Sequence, residues 1–404
     1  MVRRALYACA VCSVLPAAIM CGQSGTIAES PADGSSDATR DAPGNSVDAL
    51  PDQEAGPDAT DNVHTSCGTH PPLPPNGGTG AGSTMVPISV GSLTAGLRFG
   101  VSVQVGGPTV SAMLDTGSNG LRILSRALAD ASIEIADAGI DAGDGVVTAN
   151  YNGGMSLQGY QAFAFVTLGS MTTEHPISIM VVTDVCYPGN SGTECASGDS
   201  ADASIYGFDS IMGIDLRSDR YDIRSPIAAL PGAPAYTIHT DTDGGTFPDA
   251  GMLTVGLSTG EFANFEYAYQ LPIYADVEGG APEWNDTTIP MCLRDLTSTQ
   301  SWCQGAFLDT GDPAPYVETT GLTSSYYLPW GDTAQLIIEG KDGCIFDEYT
   351  FNVGGPSTDQ VEIRLVDPSK LSVGPYINPS NTVFFRYDVL YDPLRGIVAL
   401  KRKP

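Results

Sequence analysis

Positive charge is scarce in this chain. Its 404 residues carry 18 Lys and Arg against 47 Asp and Glu, a formal net charge of −29. Such a surface repels phosphate backbones and anionic headgroups, so nucleic-acid binding and electrostatic docking on acidic lipid are both disfavoured. It suits an extracytoplasmic protein with a solvated acidic surface, or one that must stay soluble in acid, and charge does not choose between them. Histidine is rare too. His64, His70, His175 and His239 show no ligand spacing and no His-Glu-x-x-His run, so neither a metal nor any other cofactor is expected. Beyond residue 21 no apolar run is long enough to cross a bilayer. Alternation of strands with long helices is also missing, which disfavours a doubly wound fold.

What is present begins with a targeting signal. Arg3 and Arg4 precede an apolar stretch, Ala5 to Met20, and residues 1–21 read as a signal peptide. Cys21 follows it directly, as in a lipoprotein signal, although Met20 stands where a small residue is expected. Cys21 is therefore the candidate lipid attachment, giving an exported protein that is secreted or tethered at the membrane surface. Six cysteines lie beyond the signal, an even number that implies disulfides in an exported chain. No CxxC pair occurs among them. Proximity favours Cys186 with Cys195 and Cys292 with Cys303, leaving Cys67 with Cys344, out of fifteen possible pairings.

Residues 22–84 read as an acidic linker rich in Pro, Gly and Ser. From 22 to 80 there is no Phe, Tyr or Trp, so the segment has too little apolar surface to offset its chain entropy. It lacks the basic, helical character of a pro-segment that would shield an acidic cleft. Gly78-Thr79-Gly80-Ala81-Gly82 looks like part of a phosphate-binding loop, but neither strand nor helix flanks it. From Met85 onward, short alternating runs are bounded by turn residues: Arg98 to Val105, Gln161 to Leu168, Ile177 to Val182, Tyr267 to Tyr274 and Val361 to Val366. Period-2 runs of this kind predict an all-β domain over 85–404. The best helical signal, Leu124 to Ala131, is short.

One motif occurs twice. Leu114-Asp115-Thr116-Gly117 returns as Leu308-Asp309-Thr310-Gly311, 194 positions later and again after an apolar approach. A single Asp-Thr-Gly suits an ordinary turn. Two copies, one domain length apart, point to paired carboxylates. Two carboxyls within hydrogen-bond reach cannot both ionise readily, so they share a proton and titrate together. One can then activate a water while the other protonates a carbonyl oxygen. The small Gly117 and Gly311 would let the two loops approach.

In this the sequence resembles the pepsin-like aspartic proteases. Arg98-Phe99-Gly100-Val101-Ser102-Val103 and Leu114 to Asn119 are similar to that family's first strand and first catalytic loop. Tyr151-Asn152-Gly153-Gly154-Met155-Ser156 resembles the flap hairpin, Asp209 to Ile214 the segment behind the first loop, and Val383 to Leu400 the closing strands. The resemblance implies a bilobal acid-protease fold, with two β-barrel-like lobes of about 85–245 and 246–404 and the cleft between them. It implies Asp115 and Asp309 as the catalytic pair, with Thr116 and Thr310 bonding across the loops and Ser118 donating to Asp115. Tyr151, Gly153 and Gly154 would form the flap over a polypeptide substrate, in a protein expected to be monomeric.

Two positions depart from the family pattern. Asp312 follows the second triplet where Ser or Thr is usual, and it would raise neighbouring proton affinities. Arg122 stands where many members place a Trp that bonds the flap Tyr. Three functions are therefore carried forward. The first is an active, acid-favoured aspartic endopeptidase. The second is a catalytically weak or inactive binding protein on the cell surface, which Asp312 and Arg122 favour. The third is a tethered structural protein that displays loops. Asp241-Thr242-Asp243-Gly244 faintly resembles a calcium loop but reads better as an acidic turn. Asp137 to Gly145 reads as a surface loop beside the cleft.

Overall fold

The computed structural model describes residues 66–70 and 72, then 82–404 apart from 94–95, 130, 133, 136–145, 152–153, 190–191, 202, 218–222, 242–249, 276–281, 321–325, 355–359, 362 and 367–374. The signal, Cys21, Gly153, the loop 137–145 and residues 242–244 lie outside these.

The architecture is all-β, as the alternating runs predict. Thr84–Leu93 pairs antiparallel with both Gly96–Val105 and Ala250–Val255. Gly96–Val105 pairs on with Thr109–Asp115, which ends on the first Asp-Thr-Gly. After that loop the chain returns along Asn119–Leu124. A later strand, Ser210–Ile214, lies between the two arms, parallel to Thr109–Asp115 and antiparallel to Asn119–Leu124. Gly213 sits where this strand crosses the loop; a Cβ there would stand 2.5 Å from the Ser118 carbonyl oxygen. Only a residue without a side chain fits so close a crossing.

A second sheet repeats the device. Ile289–Asp295 pairs with Ser301–Ala306 and Thr333–Glu339. The second Asp-Thr-Gly lies between Ser301–Ala306 and Tyr316–Glu318. Ile377–Asn378 slots between those arms, parallel to the first and antiparallel to the second. Each Asp loop is thus held by three strands in the same arrangement, so the echo in the sequence is also an echo in topology.

The first sheet continues through Tyr236–Thr240, Tyr387–Asp392 and Ile397–Arg402 to Tyr267–Gln270. Its alternating residues fill one continuous core with those of the second sheet, in which Phe99 meets Phe384 and Phe385 edge-on and Tyr236 stacks on Tyr391. The helical signal at Leu124 to Ala131 resolves as a 3-10 turn, Ser125–Leu128. Ser258, within the Gly-x-Ser-x-Gly run Gly256 to Gly260, caps the four-residue helix Thr259–Phe262 through Glu261. Its hydroxyl is committed to a cap rather than to nucleophilic chemistry.

Three disulfides join Cys67 to Cys344, Cys186 to Cys195 and Cys292 to Cys303, the pairs that proximity singled out. The first fastens part of the stretch expected as linker: Ser66 bridges to Ile345 and His70 to Tyr267. No helix among the described residues is long and apolar enough to cross a membrane.

Candidate active site

The two Asp-Thr-Gly loops meet head to head. The Thr116 hydroxyl donates to the Leu308 carbonyl at 2.7 Å and accepts from the Thr310 amide at 2.9 Å. In return, the Thr310 hydroxyl donates to the Leu114 carbonyl at 2.7 Å and accepts from the Thr116 amide at 3.0 Å. Both threonines are buried, so these four bonds lie out of water and fix the separation of the loops.

Each loop then aims its carboxylate. The Gly117 amide donates to Asp115 Oδ1 at 2.8 Å, and the Gly311 amide to Asp309 Oδ1 at 2.7 Å. Each glycine also faces the opposite carboxyl. A Cβ on Gly117 would stand 2.3 Å from Asp309 Cγ, and one on Gly311 2.2 Å from Asp115 Oδ1. The loops therefore close only because both positions lack a side chain. Asp115 is 3% exposed and Asp309 9%.

The donors outside this shared frame differ between the halves. Ser118 donates to Asp115 Oδ2 at 2.6 Å, as the first loop's Ser was expected to. On the other side, Asn378 donates its amide to Asp309 Oδ2 at 2.8 Å. The position that lacks Ser or Thr after the second triplet is thus compensated from the inserted strand. Asn378 lies 69 positions from Asp309, and no sequence signal marks it; Ile377–Asn378 matches Ser210–Ile214 only in its place in the fold.

The Asp312 carboxyl is engaged by its own turn. It accepts from the Ala314 amide at 3.2 Å, its own carbonyl accepts from Ser380 Oγ at 2.7 Å, and it faces Arg98 and Arg364. Arg98, which sequence reasoning left as part of a strand, is 4% exposed, and its guanidinium sits 4.9 Å above the Tyr206 ring, facing Asp312, Asp309 and Asp115. Burial raises the proton affinity of all three carboxyls. For Asp309, Asp115 and then Asp312 add negative charge beside it, which raises its proton affinity further. The pair therefore holds a proton well above the usual carboxylate range.

Tyr151 opens a turn, with Gly154 N–H donating to its carbonyl, between the paired strands Val147–Asn150 and Ser156–Ala164. Burial pushes its phenol up to about 12 against the pull of Arg122. Arg122 is 5% exposed, donates to the Asn119 and Gly120 carbonyls, and lies 5.9 Å from the Tyr151 ring centroid. A guanidinium on the ring face thus takes the place of a ring partner, and it faces Asp115 as well. No group of three or more metal-ligating side chains occurs among the described residues.

A family described as "Protein of unknown function (DUF3443)" matches residues 106–236, which span the first loop, the Tyr151 turn and Ser210–Ile214. No curated protein matches the chain. Among solved structures, the chain is similar to an aspartic proteinase from Irpex lacteus, at 16% identity and a TM-score of 0.45, over 80% of this chain and 97% of that one.

Proposed function

We propose that the protein is an exported aspartic endopeptidase that hydrolyses peptide bonds in acid through a water held between Asp115 and Asp309. The observation that carries this reading is the mutual approach of the two carboxyls, each seated against the glycine of the other's loop. Two buried acids in that position share a proton. The ionised partner draws a proton from the water as its oxygen attacks the carbonyl carbon, the protonated one donates to the carbonyl oxygen, and the tetrahedral centre then collapses by breaking the C–N bond, with a proton passed to the leaving amine. Ser118 and Asn378 orient the outer oxygens, and Tyr151, beside Arg122, is assigned the flap's role. Three disulfides accord with an oxidising, extracytoplasmic setting.

The test is peptide release from a denatured protein mixture between acid and neutral pH. Wild type should cut, an inhibitor that mimics the tetrahedral intermediate should stop it, and Asp115→Asn and Asp309→Asn should each lose at least about a thousandfold in kcat. Folded wild type that never cuts, under any of these conditions, sinks the reading. A binding protein on the same scaffold would then stand in its place. Asp312 is the specific observation in its favour, because a third buried acid makes the pair harder to leave singly ionised.

A further inference from the structure

Behind Asp309, starting from Asn378, runs a line of buried polar side chains. Asn378 donates to Asp309 Oδ2, and its own Oδ1 accepts from the Ser380 amide at 2.8 Å, which fixes which end of the side chain faces the acid. Beside it stands Tyr316, paired with Asn378 across the sheet, whose hydroxyl interacts with the Asn378 amide. The Tyr316 hydroxyl meets the Tyr376 hydroxyl at 2.5 Å. Tyr376 in turn faces the carboxyl of Glu318.

Glu318 is the end of that line and the oddity in it. It is 0% exposed, and neither carboxyl oxygen has a regular hydrogen-bond donor. The groups that face it are Tyr376, whose carbonyl accepts from the Glu318 amide at 2.9 Å, Arg364 on the adjoining strand, and the neutral Gln304, which donates to its backbone carbonyl. A buried acid with no donor of regular geometry is costly to ionise, and Tyr376 is the hydroxyl that faces it.

We propose that Glu318 is a positioning residue for Asp309, joined to it through Tyr376, Tyr316 and Asn378, so that the charge on Glu318 governs how tightly Asp309 holds its proton. This rests on the reading of Asp309 as one of the paired acids. When Glu318 is neutral, it does not draw the two hydroxyl protons toward itself, the Tyr316 oxygen takes less from the Asn378 N–H, and the amide is a better donor to Asp309. When Glu318 ionises, both hydroxyls turn toward the new anion. Asp309 then loses support and gains a like charge nearby, and both changes hold its proton on more tightly. Burial raises the proton affinities of both acids, that of Glu318 to about 7, so the Glu318 charge that acts on Asp309 appears as pH rises toward and through neutrality. Coupling of this kind is reciprocal.

The deciding measurement is the titration of Asp309 by carbon NMR of Asp-labelled full-length protein, assigned with Asp309→Asn, beside the pH profile of cleavage. Glu318→Gln should lower the Asp309 midpoint by about one pH unit and move the alkaline limb of kcat equally, with KM and the acid limb unchanged. Tyr376→Phe should give the same shift, and the double variant no more than either alone. A midpoint that does not move in either variant, or shifts that add, overturns the link. Should Glu318→Gln fail to fold, Tyr376→Phe carries the test by itself. A wild type that titrates with this coupling but cuts nothing defeats the protease reading and leaves the link standing.

Discussion

Asp115 and Asp309 sit among charges of both signs, and the balance decides how their shared proton behaves. Arg98 is the cation closest in role: buried, stacked on Tyr206, and facing Asp312, Asp309 and Asp115 together. Taking it away leaves three carboxyls with less compensation, so each should bind its proton more tightly. Arg98→Met should therefore move the alkaline limb of cleavage upward by about one pH unit, opposite to Glu318→Gln. The cleavage profile checks this, and an unmoved or falling limb would show that Arg98 acts only as packing. At this scale the sequence reveals the acids and conceals what surrounds them. Asp115, Asp309, Thr116, Thr310 and Ser118 are legible because a triplet repeats. Arg98 and Asn378 are not, since an arginine in a strand and an asparagine before a proline have no pattern until the fold brings them to the acids. Asp312 is legible as an anomaly, but the turn that seats it through Ala314 and Ser380, and the arginines that it faces, are not.

The elements behind the loops explain why the repeat in sequence becomes a repeat in space. Each Asp loop leaves one strand, returns along another, and is clamped by a third that arrives much later in the chain. The alternating runs were readable as strands, and their order agreed with the resemblance. The clamping strands were readable only where a run such as Ser210–Ile214 is long and apolar; Ile377–Asn378 has two residues and no period to detect. The short helical signal at 124–131 tightened into a 3-10 turn, as helices of this length do without a packed amphipathic face. The cross-bonds of the threonines join the two clamped units. Thr116→Val keeps shape and removes one hydroxyl, stranding the buried Thr310 amide and Leu308 carbonyl. The expected cost is about 3 kcal/mol of unfolding free energy, read from urea titration with the disulfides intact. A loss under about 1 kcal/mol would mean that the loops are held by their strands alone.

The whole molecule should be most stable in mild acid, and the sign follows from its buried groups. Asp115, Asp309, Asp312, Asp286 and Glu318 all have raised proton affinities. For each, the folded state favours the neutral acid, so stability is full below the unfolded value and is lost as pH rises through the folded one. His239, raised by its 2.6 Å contact with Asp388, adds stability that is also lost as pH rises past neutral. Asp388 and Asp295 are lowered by their donors, and their contribution disappears as pH falls below the ordinary carboxylate range. Lys403, lowered to about 8 by burial, changes the balance only near and above that pH. Together these place the maximum between about pH 4 and pH 6, with a fall on either side. Urea midpoints measured from pH 3 to pH 8 check it, and a protein more stable at pH 8 than at pH 5 would contradict it. Glu318→Gln isolates one term. With its proton affinity raised from 4.5 to about 7, Glu318 disfavours the fold at neutral pH by up to about 3 kcal/mol. Replacing it should flatten the neutral-side fall by that order and leave the acid side where it was. The same substitution that lowers the Asp309 midpoint should thus make the protein sturdier at pH 7, a pairing expected of a residue kept for what it does to its neighbour and not for what it adds to the fold.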